Sequence, residues 1–331
     1  MEYDVNIIDV GDADAIVINC NLEGSWWTVV IDAGNVGDGS KIKPFIKSIN
    51  NGKYCIDYAV CTHPDKDHKG GFFDLYADND VMIRTFIALD PSVPVSIDYR
   101  RLLYKTGELE RKAHDVYNHP QDSSKNLIDI AKRNSLFTGV FAPGLQLSPL
   151  PIYVVGPSKE FYKDAAYEMA LNFAELTDES NSELYSEDEI PSDEDAKGVL
   201  DEMKENSPTN KASLILLFKP EDDQKYLLTG DACAKSIHDA IDTFGDVMKK
   251  CNLKVPHHGS KHNLTTEVID LLQPVNAVIS CKGTKKHPSS SVVYWLSKYC
   301  DVYSTSKSGT LTYQSAPVTH PATPLKKKIQ Q

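Results

Sequence analysis

The chain has 331 residues, of which 41% are hydrophobic and 25% charged, a composition typical of a globular protein with a large core. No apolar run approaches the roughly 20 residues that cross a bilayer, and no basic stretch followed by an apolar one opens the sequence. We therefore expect neither a membrane-spanning nor a secreted protein. The seven cysteines are scattered without a C-x-x-C pair, which favours reduced thiols and a cytoplasmic location over a disulfide framework.

The charge is distributed unevenly along the chain. The formal net charge is −12, yet residues 249–331 contain twelve lysines and three acidic residues, a net of +9. The overall charge argues against a nucleic-acid partner, whereas a basic C-terminal third is compatible with an anionic substrate that approaches one face. A solvated, lysine-rich surface explains the same pattern, and the sequence leaves both interpretations open.

Strands dominate the first part of the chain, and strands alternate with helices in the last part. The predicted strands are 5–10, 15–20, 26–31, 56–61, 81–88, 152–155, 213–219, 225–229, 253–255, 277–280, 301–304 and 309–313. The predicted helices are 40–51, 72–78, 233–243, 266–272 and 290–299. This order predicts an α/β (α+β) fold, a single αββα sandwich over residues 1–331 in which two sheets face each other with helices outside.

Three segments depart from this pattern. Residues 97–142 are polar and show helical spacing, which predicts a helical insertion over the site. Residues 176–210 are acidic and serine-rich with little to bury, which is typical of a mobile loop. Residues 320–331 end in a lysine-rich stretch that we expect to be frayed.

Residues 62–71, with the sequence THPDKDHKGG, hold the densest group of potential metal ligands. His63, Asp65, Asp67 and His68 follow a predicted strand directly. A strand end followed by a tight loop lets two of these side chains point one way and two another. The segment therefore predicts two adjacent metal ions rather than one, although a solvated loop rich in His and Asp remains the alternative.

Two later segments carry further ligands after strands. Asp231 follows the apolar run 227–230, and its two carboxylate oxygens could each bind one cation. The alternative for Asp231 is a helix N-cap, because a helix is predicted just after it. His257 and His258 lie between Pro256 and Gly259. One is predicted to bind metal and the other to contact a ligand or the substrate, and the sequence does not decide between them.

These motifs occur in the order seen in metallo-β-lactamase-fold hydrolases, and together they resemble the C-terminal hydrolase domain of the ComEC competence proteins. The residues that carry the resemblance are 9–11 (DVG), 30–34 (VIDAG), 62–68 (THPDKDH), 228–231 (LTGD) and 255–260 (VPHHGS), with Asn210, Ser213, 278–280 (VIS) and 287–288 (HP) in support. The resemblance spans nearly the whole chain apart from segments 97–142 and 176–210.

The resemblance implies six metal ligands among seven candidate residues. His63 and Asp65 would bind one ion, Asp67 and His68 the other, Asp231 would bridge them, and His257 or His258 would complete the second site. Asp65 stands where the superfamily has histidine.

A second departure from the family pattern lies between residues 68 and 231. The only histidines there, His114 and His119, fall in the predicted insertion, so neither is expected to be a ligand. Asn210 is the candidate for the ligand position that is left vacant.

An oxygen-rich ligand set makes Mn²⁺ a rival to Zn²⁺ as the native ion. Two cations roughly 3.5–4 Å apart lower the pKa of a bridging water, which then attacks as hydroxide, and they stabilise the oxygens of an in-line displacement. Catalytic roles are accordingly predicted for Asp67, Asp231 and His287, with His287 contacting the substrate or donating a proton to the leaving oxygen. The alternative for His287 is a structural histidine before a turn proline. The predicted substrate contacts are Asn210, Lys211, Ser260, Lys261, Lys285 and Lys286, and Lys254 and Lys282 flank the same motifs.

The first functional hypothesis is a two-metal phosphodiesterase, a nuclease acting on DNA. The second is a hydrolase of a small phosphodiester such as a cyclic nucleotide, or another hydrolase of this fold, since the fold does not decide the substrate. The third is a binding module without catalysis, against which the complete ligand set argues. An extended basic groove would favour DNA as the substrate. A pocket closed by residues 97–142 would favour the small phosphodiester. A protein partner remains unknown.

Overall fold

A computed structural model describes residues 1–50, 52–94, 106–139, 143–171, 190–202, 206–284, 287–315 and 322–329. Two β-sheets of eight and six strands form its centre, and a separate two-stranded ribbon lies outside them. Among the described residues, no helix is both long and apolar enough to cross a membrane.

The larger sheet is built mainly from the first part of the chain. Its strand order is β16-β1-β2-β3-β5-β6-β9, with β4 paired to β5. The strands are β1 (Glu2–Ile7), β2 (Ala15–Leu22), β3 (Ser25–Ala33), β4 (Ser48–Asn50), β5 (Lys53–Cys61), β6 (Val81–Ala88), β9 (Leu136–Thr138) and β16 (Leu311–Gln314). β3, β5, β6 and β9 run parallel, so the C-terminal ends of β3 and β5 meet at one edge.

The smaller sheet comes from the second part of the chain and has the order β10-β11-β12-β13-β14-β15. Its strands are β10 (Ile152–Gly156), β11 (Ile215–Phe218), β12 (Tyr226–Leu228), β13 (Asn252–Lys254), β14 (Asn276–Ile279) and β15 (Asp301–Ser304). β12 to β15 are parallel, which brings the loops after β12 and β13 to the same edge. The ribbon consists of β7 (Asn118–His119) and β8 (Asp122–Asn126).

Eleven α-helices accompany the sheets in the part of the chain that is described. They are α1 (Gly39–Ile42), α2 (Lys66–Ala77), α3 (Thr106–Asp115), α4 (Leu127–Asn134), α5 (Lys159–Leu171), α6 (Asp193–Asp201), α7 (Pro208–Lys211), α8 (Ala234–Phe244), α9 (Thr266–Leu272), α10 (Ser290–Ser297) and α11 (Thr305–Ser308). Short 3₁₀ turns lie at Lys43–Phe45, Gly245–Met248 and His257–Gly259.

Three hydrophobic clusters define the layers of the sandwich. Alternate residues of β1, such as Val5 and Ile7, pack against Leu216 and Phe218 of the smaller sheet, which gives the cluster between the sheets. The outer face of the larger sheet packs on Phe72 of α2, and the outer face of the smaller sheet on α8, α9 and α10. The predicted αββα architecture is therefore confirmed.

Two helix predictions near the N-terminal half were wrong in their extent. Residues 40–50 form only part of α1, a 3₁₀ turn and strand β4, because Pro44 cannot continue a helix interior and lies instead in the 3₁₀ turn that begins at Lys43. Residue 51 lies outside the described part of the chain. The helix predicted from residue 72 begins at Lys66. Gly70 and Gly71, which favoured a later start, lie inside α2 where it contacts the backbone after β3.

The predicted helical insertion, 97–142, has mixed structure in its described part. It contains α3, the β7–β8 ribbon, α4 and β9, and β9 joins the larger sheet beside β6. It packs on α2, since Lys69 Nζ donates to the carbonyl of Val116 and the ring of Phe73 lies 4.6 Å from that of His119. Residues 97–105 and 140–142 lie outside the described part of the chain.

The acidic segment, 176–210, was predicted to be a loop, but its described residues form helices α6 and α7. Ser192 caps α6 by accepting from the backbone of Asp195, and Ala196 and Leu200 are buried against α10. Residues 176–189 and 203–205 lie outside the description.

The predicted frayed tail, 320–331, also contacts the body where it is described. Lys326 pairs with Val302 of β15, and Leu325 is buried.

Candidate metal centre

Three strand ends bring the predicted ligands together between the sheets. His63 and Asp65 lie in the loop between β5 and α2, and Asp67 and His68 occupy the first turn of α2. Asp231 follows β12, and His257 and His258 form the 3₁₀ turn after β13. The sheet edges that carry these loops face each other, so residues more than 160 positions apart in sequence become neighbours.

Asp231 directs its two carboxylate oxygens to two different groups of donors. On one side, Oδ2 lies 3.8 Å from His63 Nε2, which is itself 3.5 Å from Asp65 Oδ2. His63 and Asp65 form what we call the first donor group. On the other side, Oδ1 lies 3.3 Å from His68 Nε2.

The second donor group consists of Asp67, His68 and His258. Asp67 Oδ2 is 3.6 Å from His68 Nε2 and 3.1 Å from His258 Nε2. His258 therefore lies with this group, as the prediction allowed. The Nε2 atom of His257 lies instead 3.8 Å from Asp231 Oδ2, on the side of the first donor group.

The donor atoms fit divalent cations. His63 Nε2, His68 Nε2 and Asp231 Oδ1 are buried and have no hydrogen-bond partner among the described residues. Buried polar atoms are rarely left unpaired, because each loses its hydration without compensation. Imidazole nitrogens and carboxylate oxygens are ligands of both Zn²⁺ and Mn²⁺. Residues of both donor groups, with Asp231, could thus hold such ions.

Mutual electrostatic stabilisation shifts the pKa values of these groups. Burial alone would lower the pKa of His68, but the carboxylates of Asp231, Asp32 and Asp67 hold it well above its usual value. The same competition raises the pKa of His258 to about 9. Burial would raise the pKa of Asp231, but the neighbouring imidazoles, His68 foremost, hold it well below its usual range. The carboxylates are thus the charged, metal-binding forms.

Hydrogen bonds behind the histidines fix which ring nitrogen faces the centre. His68 Nδ1 donates to Asp32 Oδ2 at 2.8 Å, and His258 Nδ1 donates to the carbonyl of Ser280 at 2.8 Å. His63 Nδ1 lies 3.0 Å from the hydroxyl of Thr62, which donates its own proton to Asp32. In each ring Nε2 is therefore the nitrogen that faces the carboxylates of the centre, the orientation found in metal sites generally.

The sequence did not predict that Asp32 orients the ring of His68 and the hydroxyl of Thr62. The available signal was an acidic residue directly after an apolar strand, in the motif 30–34, and the same signal applied to Asp231. Asp14 was also missed. It is buried, and its carboxylate pairs with Lys254 Nζ and lies 3.8 Å from His258 Nδ1. Lys254, which flanks the predicted substrate contacts in the sequence, does not reach the surface, because its side chain is buried in that ion pair.

The N-cap alternative for Asp231 does not match the structure. The residue that caps α8 is Cys233, which makes no side-chain hydrogen bond to the helix, and the Asp231 carboxylate faces histidines instead. His114 and His119 lie outside the centre, near Asp129 and Phe73 respectively.

The predicted substrate contacts are dispersed. Asn210 Nδ2 lies 3.1 Å from His257 Nδ1, and Lys211 pairs with Glu168 at 2.7 Å. Ser260 is 2% exposed, and its hydroxyl accepts from the backbone of His262. Lys261 is exposed to solvent. Lys285 and Lys286 lie outside the described residues.

His287 does lie beside the centre, as predicted. Its ring centroid is 5.4 Å from that of His257 and 6.0 Å from that of His258. Only 8% of the residue is exposed. This position is compatible with a contact to a substrate at the histidines.

Comparison with known proteins yields one partial sequence match and no matching family model. Over 108 residues, 32% of the chain, the sequence is 32% identical to ComE operon protein 3 of Bacillus subtilis (strain 168). The match covers 14% of that protein. Within this stretch, the resemblance to competence proteins predicted from the motifs is confirmed.

Two solved structures are similar in shape. Igni18, a metallo hydrolase of the archaeon Ignicoccus hospitalis KIN4/I, has a TM-score of 0.41 at 11% identity and covers 94% of this chain and 98% of its own. The metallo-beta-lactamase fold protein YhfI of Bacillus subtilis has a TM-score of 0.44 at 10% identity, with coverages of 95% and 100%.

Proposed function

We propose that this chain is a two-metal hydrolase that cleaves the phosphodiester bonds of DNA. The observation that carries the proposal is the Asp231 carboxylate, whose oxygens face the first donor group on one side and His68 of the second on the other. A carboxylate in that position suits two ions held side by side. When bound, such ions supply a nucleophile at neutral pH and stabilise the charge that develops on phosphate oxygens.

The protein's own residues would hold and orient these ions and the substrate. Asp32, Thr62 and Ser280 accept hydrogen bonds from the Nδ1 atoms of the three ligand histidines and so aim their Nε2 atoms inward. His287, which lies next to His257 and His258, is placed to contact the scissile group or to donate a proton to the leaving oxygen.

DNA is proposed as the substrate on two grounds. The sequence resembles the hydrolase domain of competence proteins, and the partial match to ComE operon protein 3 agrees with this. Lys261 also exposes a positive charge in the loop that follows the two histidines. Several other lysines of the C-terminal third are paired locally, including Lys249 with Asp246 and Lys298 with Asp193, so they add less to a basic face than their number suggests.

The test is cleavage of end-labelled single- and double-stranded DNA in Mn²⁺ or Zn²⁺, with the wild type beside Asp231→Ala. Asp222→Ala, which removes an exposed aspartate of the loop after β11, is the matched control. We expect metal-dependent cutting by the wild type and the control, and a loss of more than about 100-fold in Asp231→Ala, since even residues behind metal ligands contribute 10–100-fold.

Two other outcomes would replace the proposal. A wild type that holds two metals and leaves DNA intact, but hydrolyses a cyclic nucleotide, would be a small-substrate phosphodiesterase. A metal-loaded wild type that hydrolyses neither would be a binding module.

A further inference from the structure

His257 directs its Nε2 atom to the same oxygen of Asp231 as His63 does, at 3.8 Å in both cases. His258 lies on the other side of the carboxylate, with Asp67. We infer that His257 is the further ligand of the ion held by the first donor group. It occupies the coordination position for which the sequence suggested Asn210. This inference rests on the proposed two-metal centre and adds to it the residue that completes its first site.

The backbone of the histidine turn supports this role. His257 and His258 have φ angles of +47° and +53°, both in the left-handed region that residues other than glycine seldom adopt. Such a backbone conformation is strained and persists where its surroundings require it. As a result the two rings diverge, with centroids 5.8 Å apart and planes at 69°. The turn thus presents one imidazole to each side of Asp231.

Asn263 determines which nitrogen of His257 carries the proton. Its Nδ2 donates to the carbonyls of Asp231 and Ala232, at 2.9 and 3.4 Å, and this fixes the direction of the amide. The Oδ1 atom of Asn263 then lies 2.9 Å from His257 Nδ1 and must accept its proton. The lone pair of His257 is consequently on Nε2, the atom that faces Asp231.

Asn210 offers a competing contact to the same nitrogen, with its Nδ2 at 3.1 Å from His257 Nδ1. Because Nδ1 already carries a proton, two donors would face each other there. The Oδ1 atom of Asn210 has no hydrogen-bond partner among the described residues, so rotation of this amide by half a turn relieves the conflict. Asn263, held by two carbonyls, has no such freedom. Asn210 therefore supports the back of the His257 ring.

The assignment of His257 is tested by measuring the zinc content of two variants, each of which lacks one of the two donor groups. The full chain is stripped with a chelator, reloaded with Zn²⁺, desalted and measured by plasma mass spectrometry. His68→Ala breaks the second donor group and His63→Ala the first, and each should retain one zinc per chain. Adding His257→Ala should remove the remaining zinc from the His68→Ala protein and leave that of the His63→Ala protein in place.

The opposite pattern would overturn the inference, as would an unchanged zinc content in both backgrounds. His114→Ala, which removes a half-buried histidine of α3 outside the centre, should change nothing and controls for general effects. Melting curves confirm that each variant is folded. If the His257→Ala change prevents folding, His257→Gln is used in its place. A wild type with two zinc ions that does not cut DNA would reject the nuclease function while leaving the assignment supported; a wild type that binds no zinc would reject the assignment.

Discussion

At the scale of single residues, the centre depends on side chains that never face a substrate. Asp32 holds His68 and the hydroxyl of Thr62, and Asp14 pairs with a lysine that is 1% exposed. The sequence indicated which histidines and aspartates come together at the centre, because such residues clustered after strands have few other uses. It could not predict the pairing of Asp14 with Lys254, since 240 positions separate them and neither stands in a metal-binding pattern.

The buried ion pair between Lys254 and Asp14 should matter strongly to stability. Lys254→Met leaves the Asp14 carboxylate buried without its partner, and removal of one member of such a pair typically costs about 3–5 kcal/mol. Urea unfolding of the metal-free protein measures this loss. Lys235→Ala breaks the exposed pair with Asp239 and should cost no more than about 0.5 kcal/mol.

Adding Asp14→Asn to Lys254→Met removes the unpaired charge and should restore part of the loss. Equal, small effects of Lys254→Met and Lys235→Ala would show that the buried pair has no special role.

At the scale of elements, α2 delivers two ligands because it lies very close to the backbone after β3. A Cβ atom on Gly71 would lie 2.0 Å from the carbonyl oxygen of Ala33, and one on Gly70 would lie 2.3 Å from the backbone nitrogen of Val36. The glycine pair therefore allows α2 to pack closely against the backbone after β3. In the sequence, the same pair indicated a break before a helix. The helix predicted over residues 40–51 fails for a different reason, because Pro44 cannot continue a helix interior.

Gly71→Ala should push α2 away from β3 and displace Asp67 and His68 with it. We expect a loss of about 1–3 kcal/mol of stability, the usual cost of forcing extra atoms into a packed site. Zinc affinity should fall with it, because both residues of the first turn move. Gly198→Ala is the matched control, since no atom lies within 4 Å of its added Cβ in helix α6.

At Gly198 alanine should stabilise the protein by about 0.5–1 kcal/mol. The two variants are compared by thermal melting and by titration with Zn²⁺. Similar melting temperatures and zinc affinities for both would mean that α2 does not lie as close to β3 as described.

At the scale of the whole molecule, the alternation of strands and helices was enough to predict two sheets between helices. The strand order was not predictable, because it depends on contacts between the chain's ends. β16, near the C-terminus, pairs antiparallel with β1, so that the last strand of the sequence becomes the edge of the larger sheet. The sequence also gave no sign that β9, inside a polar segment, would extend this sheet at its other edge.

All seven cysteines are free and buried. Burial raises the pKa of Cys20 and Cys251 to about 12 and that of Cys281 to about 11, so few thiolates exist at pH 8. We expect 5,5′-dithiobis(2-nitrobenzoic acid) to react slowly with the folded protein and with seven thiols after denaturation. Rapid reaction of one or more thiols in the folded state would contradict this packing.

Anomalous scattering from crystals grown with Zn²⁺ or Mn²⁺ tests the two-metal centre most directly. We expect two peaks, one on each side of the Asp231 carboxylate, with His63, Asp65 and His257 around one and Asp67, His68 and His258 around the other. A single peak, or two peaks that Asp231 does not join, would contradict the two-metal centre on which the proposed function rests.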